Sequence, residues 1–373
     1  MHLDYFNLCS SLTCRTRIIK NVCFYANSSF EIGAGHMMRC LALAQAFIEK
    51  EYRVHFVYKK CLVNILGVLH ENNINTEEYL GDNFTGSELF SQISMNCLVV
   101  DDYSLSVKEQ TALKYLVLQP KQDRLKVIAI DDAIDLDSVH ADLIVNHAEN
   151  ASIDYYKRRF KPESLLLGKQ YALIRREFRL TANNDTKQNQ SSRLLVTIGA
   201  TDVKEISLDL VVEIKKHLPD TPVTLVLNRV SDSQRELLSS LERLPSIEVL
   251  SNVKDMAEHM RQSTLAITAA GGTLNELACC GVPSIALVIA DNQLPALSSS
   301  DNNQYYKAID ARAYQPNDTK YLESNQRLLV EIVRQTKELW RDNCLLNDMN
   351  KRAKQVVDGK GCLRIIEAFE NTI

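Results

Sequence analysis

Residues 32–44 read IGAGHMMRCLALA. A short glycine loop, Gly33-Ala34-Gly35, ends directly on His36, and an apolar helical pattern follows at once. The run before it, Ile18 to Tyr25, reads as a strand, so the loop is a strand-to-helix turn. Backbone N–H groups at such a turn can face an anionic ligand. An ionisable imidazole sits in the same place, which suggests phosphate chemistry meeting acid–base chemistry.

The same unit recurs outward from this point. Gly35 to Glu49 reads as a helix and Arg53 to Tyr58 as a second strand. Cys97 to Val100 and Lys126 to Ile130 are short apolar runs, each followed closely by paired aspartates, and Leu143 to Val145 is another such run. Strand–helix alternation predicts a parallel sheet covered on both faces. Between about Leu180 and Arg193 the segment TANNDTKQNQSS is polar and aperiodic, and reads as a linker. Alternation then restarts, with strands at Leu194 to Ile198, Val223 to Leu227, Leu265 to Thr268 and Ser284 to Val288, and a helix at Ser207 to His217. From Asn325 onward the pattern is helical. The expected organisation is an extension (1–19), a first Rossmann-like domain (20–180), a linker (181–192) and a second Rossmann-like domain (193–373). Two such α/β domains predict parallel sheets facing across a cleft, with ligands beyond the carboxyl ends of the strands.

The chain has 373 residues, too many for one ordinary core. It is 45% hydrophobic and 24% charged, as soluble globular proteins are. A formal charge of -4 and a pI of about 6.1 argue against a broad nucleic-acid surface. Ten cysteines at irregular spacings include no CxxC pair, which argues against a zinc ribbon and for reduced thiols in a cytoplasmic protein. Cys279-Cys280 reads as helix packing rather than a redox pair. No apolar run is long enough for a membrane span, and residues 1–20 do not read as a signal peptide.

Five constellations carry candidate chemistry. Gly33, Gly35, His36 and Arg39 form the first; it is neither a P-loop nor a full GxGxxG. A helix start disfavours cationic histidine, and a neutral imidazole is what a general base requires. The plain alternative is a helix-start residue without a chemical role. The second is Gly271-Gly272-Thr273-Leu274-Asn275-Glu276, where a phosphate can approach the glycine backbone and Glu276 can accept two sugar hydroxyls. Thr273 to Glu276 also has capping-box spacing, so Glu276 reads equally as a cap. The third is the aspartate pairs, Asp101-Asp102 with Tyr103 and Asp131-Asp132. Carboxylates there can orient a histidine, bind hydroxyls or hold a metal, or simply form solvated turns; no HxH or HExxH pattern supports a metal. The fourth is Gly199 to Asp202, a weak phosphate or sugar loop. The fifth is Asp291-Asn292-Gln293, whose amides can read a base or a sugar. His147 and the histidines at 55, 70, 140, 217 and 259 have no motif around them and read as structural or surface residues.

In combination, IGAGHMMRCLALA, VVDDY, IDDAIDLD, LLGKQYALIRREF, VTIGATD, ITAAGGTLNELACCGVPSIAL, IADNQ and VVDGKG resemble the UDP-sugar hydrolases of pseudaminic acid biosynthesis. The matching segments run in family order from about residue 20 to 365. The resemblance implies a GT-B-like fold, a UDP-linked 2,4-diacetamido-2,4,6-trideoxy sugar as substrate, and no cofactor or metal. It implies a monomer acting in flagellin glycosylation or surface polysaccharide synthesis. It implies that His36 activates water for inverting attack at the anomeric carbon and that Tyr103 lines the sugar pocket, with Gly33, Gly35 and Arg39 beside the substrate. Gly199, Asp202, Gly271, Gly272 and Thr273 would lie near the phosphates, Asn275 and Glu276 toward the nucleoside, and Asn292 and Gln293 near the cleft.

The chain departs from the family pattern in three places. Asn27 stands where an aspartate is frequent, and a neutral amide cannot supply a carboxylate to orient His36. Asp102 replaces a common histidine, and Glu205 a common asparagine. The rival readings are a glycosyltransferase of the same fold and an idle nucleotide-sugar binder.

Overall fold

A computed structural model describes residues 20–29, 32–81, 88–119, 125–132, 140–148, 150–181, 192–199, 202–316 and 318–372. The expected extension and most of the expected linker lie outside the described residues, as do Ala200, Thr201 and residues 133–139.

The first half contains β1 (Asn21–Ala26), α1 (Gly35–Glu49), β2 (Arg53–Tyr58), α2 (Val63–Glu71), β3 (Asn75–Glu78), α3 (Glu88–Gln92), β4 (Cys97–Asp101), α4 (Val107–Leu118), β5 (Lys126–Ile130), β6 (Leu143–Asn146), α5 (Ile153–Tyr156), β7 (Leu165–Leu167) and α6 (Arg176–Thr181). The second contains β8 (Leu194–Thr197), α7 (Ser207–His217), β9 (Val223–Val226), α8 (Arg235–Glu242), β10 (Ile247–Leu250), α9 (Met256–Arg261), β11 (Leu265–Ala269), α10 (Gly272–Cys279), β12 (Ser284–Val288), α11 (Pro295–Asn303) and β13 (Tyr306–Asp310). Three helices follow: α12 (Leu322–Arg341), α13 (Asn343–Val356) and α14 (Gly361–Glu370).

The strands form two parallel sheets, ordered β3-β2-β1-β4-β5-β6-β7 and β10-β9-β8-β11-β12-β13. β1 shows why. Every residue of NVCFYA is buried, as a central strand covered on both faces requires. Its side chains alternate between cores. Phe24 stacks on Phe56 at 4.9 Å within the layer under α1 and α14, while Cys23 and Tyr25 join Leu113 and Tyr156 on the other face.

In each sheet the strand order reverses once, between β1 and β4 and between β8 and β11. Crevices form at such switch points. The loops after β1 and β4 carry Gly33 to His36 and Asp101 to Tyr103. Those after β8 and β11 carry Gly199 to Asp202 and Ala270 to Thr273. The glycine and aspartate loops thus fall at the two places where this topology builds a binding crevice.

Two features depart from expectation. Strands β3, β7, β10 and β13 have no counterpart in the sequence reading. All but β10 and β13 are also short or polar, as in Asn75–Glu78, and all four lie at or next to sheet edges, where one partly exposed side removes the need for an apolar run. The expected second domain is also drawn one helix too long. α14 packs into the first-half core through Cys362, Ile365, Ile366 and Phe369, whose ring lies 5.8 Å from Phe47. The crossing is close. A Cβ on Gly361 would lie 2.2 Å from the Ala172 carbonyl oxygen and 2.6 Å from the Tyr171 carbonyl carbon. Both are backbone atoms, so Gly361→Ala is expected to cost about 1–3 kcal/mol through overpacking. The urea midpoint measures this, and an unchanged midpoint would show that α14 slides freely.

Candidate active site at the cleft

His36 lies in the first turn of α1, where no side chain caps the helix and no acidic residue sits. Its Nδ1 is 2.6 Å from Asp101 Oδ1. Asp101 ends β4 and pairs in register with Ala26 at the end of β1, which sets it beside the glycine loop. The carboxylate is fully buried. Burial opposes its ionisation, but Arg39 and then His36 outweigh it and hold the carboxyl well below the usual range. An ionised Asp101 only accepts hydrogen bonds, so the His36 proton belongs on Nδ1 and the lone pair on Nε2. Asn27 therefore leaves His36 no worse oriented, because the carboxylate comes from β4. Asn27 ties strand ends together instead: its Oδ1 accepts from the Lys59 and Lys60 amides at 2.7 and 3.0 Å, and its Nδ2 donates to Asp102 at 2.5 Å.

Arg39 lies one turn further along α1. Its Nε and Nη2 donate to the two Asp101 oxygens, each at 2.5 Å, and its Nη1 donates to Asp132 Oδ2 at 2.6 Å. This fork is the geometry that guanidinium favours for carboxylates. Arg39, expected beside the substrate, holds two aspartates next to His36. Tyr103 meets His36 edge-on at 4.5 Å and donates its hydroxyl to Asp132. Its ring is about half exposed beside His36.

The second half presents the N-terminus of α10. Gly271 is its N-cap, with no side-chain cap bond, so the first-turn amides are not occupied by a side chain. A Cβ at Gly272 would meet nothing within 4 Å, and one at Gly271 only Gln293 Nε2 at 3.7 Å. Gln293 thus borders this loop, anchored by its Oε1 accepting from the Ile289 amide; Asn292 is exposed beside it. Thr273 is partly buried in the first turn. The capping-box reading of Glu276 fails. Its carboxylate accepts from Arg175 Nε and Nη2 at 2.7 and 3.1 Å. Asn275 accepts from Lys169 at 2.7 Å. Lys169 and Arg175 precede α6, so these two bonds join the halves. Neither was singled out from sequence, since a pairing over about a hundred residues leaves no local spacing.

Asp202 needs correction. Its buried carboxylate accepts from the Ile206 and Ser207 amides at 3.3 and 3.1 Å, so it caps the start of α7 rather than facing a phosphate. Gly199, at φ +80, makes the preceding turn. Glu205 also turns the chain, at φ +51, and accepts from Ser231. Cys279 and Cys280 are both unbridged and buried in α10 packing. Among the described residues, no group of three His, Cys, Asp or Glu side chains is arranged for a metal, and no helix is long and apolar enough to cross a membrane.

His147 was set aside as structural. It follows β6 and is buried. Burial, then the Arg39 charge, pushes its pKa down to about 4, while Asp132 pulls the other way and Lys169 adds to the depression. Ordinary histidine titrates near 6.5, so between these values the unfolded chain binds a proton that the folded chain refuses. Stability is full above about pH 6.5 and falls as pH drops toward 4. His147→Gln is expected to remove this component from a pH series of denaturation midpoints; an unchanged slope would assign it elsewhere.

The architecture is GT-B-like, two Rossmann-like units with parallel sheets and strand-end loops facing a shared cleft. MurG of Acinetobacter baumannii superposes with a TM-score of 0.61 at 14% identity, over 94% of this chain and 99% of that one. The Staphylococcus aureus MnaA–UDP co-structure gives 0.61 at 15%, over 95% and 98%. Residues 193–362 match the glycosyltransferase family 28 C-terminal domain.

Among characterised sequences, the chain is 25% identical over 261 residues to the UDP-2,4-diacetamido-2,4,6-trideoxy-beta-L-altropyranose hydrolase of Campylobacter jejuni, covering 68% of this chain and 86% of that one. It is 21% identical over 363 residues to the spore coat polysaccharide biosynthesis protein SpsG of Bacillus subtilis, covering 94% and 98%. An uncharacterised Methanocaldococcus jannaschii protein is 22% identical over 275 residues, and the chain spans only 55% of its length.

Proposed function

We propose that this chain is an enzyme acting on a nucleotide sugar, and specifically that it hydrolyses a UDP-linked 2,4-diacetamido-2,4,6-trideoxy sugar to UDP and free sugar, as in pseudaminic acid biosynthesis. The observation that carries the reading is the His36–Asp101 pair at the first switch point, opposite an uncapped helix N-terminus at the second. The likeness to the Campylobacter hydrolase supports the substrate.

The chemistry divides between the halves. His36 Nε2 takes a proton from water as the water oxygen attacks the anomeric carbon. The C1–O bond breaks on the opposite face, the configuration inverts, and UDP leaves with the bonding electrons. Asp101 stabilises the imidazolium that forms, as the buried carboxylate of a catalytic triad does. The first-turn amides of α10 face the departing diphosphate, where developing negative charge is best met by fixed dipoles. Gly271 and Gly272 leave room for that approach. Water is the nucleophile and His36 the base, so the step as drawn consumes no cofactor.

The family 28 match favours a second reading, a glycosyltransferase in which the same base deprotonates an acceptor hydroxyl. Incubation with a panel of UDP-sugars in ¹⁸O-water separates them. Release of UDP without acceptor, with label in the sugar, is expected. Label in the phosphate would overturn attack at the anomeric carbon, and release only when an acceptor is added would overturn the hydrolase reading.

A further inference from the structure

β4, β5 and β6 lie side by side, and their carboxyl ends deliver Asp101, Asp132 and His147 along one edge of the cleft. Polar groups next to His147 are paired. Asn146 Nδ2 donates to the Tyr156 hydroxyl at 2.8 Å, Tyr156 donates to the Asp131 carbonyl at 3.0 Å, and Asn146 Oδ1 accepts from the Ala148 amide at 2.9 Å. The Gly168 amide donates to the Asn146 carbonyl at 2.8 Å. His147 differs: its Nδ1 is buried and has no hydrogen-bond partner among the described residues. Buried polar atoms are normally paired, so an orphan on a site's edge asks for a ligand.

Its surroundings say which end of a ligand. The charges of Arg39, Asp132 and Asp101 of the His36 cluster act on it, and so does that of Lys169. Lys169 in turn donates to Asn275 of α10. His147 thus feels both the cluster of the candidate base and Lys169, which bonds to the nucleotide-facing half, the span that a sugar attached to a diphosphate must cross.

We propose that His147 positions the sugar, its unpaired imidazole taking a neutral hydroxyl or amide group of the sugar ring and contributing to sugar selectivity. This rests on the nucleotide-sugar reading above. At neutral pH the imidazole is uncharged, so one nitrogen donates and the other accepts. Hydroxyls and secondary amides offer the complementary pair. A phosphate does not, because it only accepts.

The test uses His36→Ala as parent, so that ligand survives, and calorimetry with UDP and UDP-N-acetylglucosamine. The parent is expected to bind the sugar nucleotide more tightly than UDP. Adding His147→Ala is expected to lower affinity for UDP-N-acetylglucosamine about tenfold, the equivalent of one hydrogen bond, and to leave UDP affinity within about twofold. His147→Gln, which keeps a donor and an acceptor, recovers part of the loss. A purely structural histidine weakens both ligands equally or neither, and either result overturns the proposal. So does a parent that gains nothing from the sugar. A parent that binds neither ligand overturns the nucleotide-sugar reading itself, a different outcome from intact binding that ignores His147.

Discussion

His36→Ala is expected to lower the rate constant for UDP release by about 100- to 10,000-fold, the usual contribution of a positioned acid–base group. UDP affinity should stay within about twofold, because the amides proposed to face the diphosphate belong to α10 in the other half. The substitution removes the imidazole that Asp101 orients at the first switch point. Asp101 cannot take its place, since Arg39 already holds both its oxygens and keeps its carboxyl well below the usual range. Single-turnover kinetics beside calorimetry makes the distinction. Normal turnover with normal UDP binding would sink the base assignment. Loss of both together would point to a collapsed site instead.

Arg39→Met should have the largest effect on stability, about 3–5 kcal/mol, the cost of leaving buried charge uncompensated. Methionine keeps most of the aliphatic packing of the stem, so the loss reports the missing charge. One guanidinium serves two carboxylates here, Asp101 fully buried and Asp132 with its side chain 18% exposed. The effect depends on pH in a definite direction. In the parent, Arg39 keeps the Asp101 pKa low, so the pair contributes stability above pH 4 that is lost as pH falls through and below the carboxylate range. In the variant, burial acts without its counterweight and the Asp101 carboxyl titrates high. Acidification then neutralises it and relieves the strain, so the gap between the two proteins narrows toward pH 4. Urea midpoints at pH 7.5 and pH 4.5 measure this. Equal gaps at both would mean that Arg39 acts by packing alone. Adding Asp101→Asn to Arg39→Met should recover part of the loss, as expected for residues that share one network.

The interior strands were legible because burial on both faces demands continuous apolar runs, as in Arg53–Tyr58, Lys126–Ile130 and Ser284–Val288. The edge strand Asn75–Glu78 was not, since half its surface meets water and its sequence can stay polar. Site residues divide in the same way. Gly33 to His36, Gly271 to Thr273 and the strand-end aspartates announce themselves because a glycine turn or a carboxylate after an apolar run is a local pattern. Asp202 obeyed the same pattern and turned out to cap α7, since a local signal does not say which way a carboxylate points. His147 satisfied the strand-end rule as well as Asp132 does, and applying that rule evenly would have found it.

By itself, then, the sequence determined the alternation of strands and helices, the two glycine-bearing switch-point loops and the position of His36 at the start of a helix. These follow from hydrophobic period and backbone freedom, which act over a few residues. The tertiary structure alone decided which carboxylate serves His36. It assigned Asp101 rather than position 27, joined Arg39 to two aspartates in a double ion pair, crossed Arg175 to Glu276, and returned α14 to the first half. Each of these joins residues from 62 to more than 300 positions apart, a distance over which sequence spacing carries no geometry. Only the register of parallel strands, setting Asp101 beside Ala26, brings the base and its orienting carboxylate within 2.6 Å.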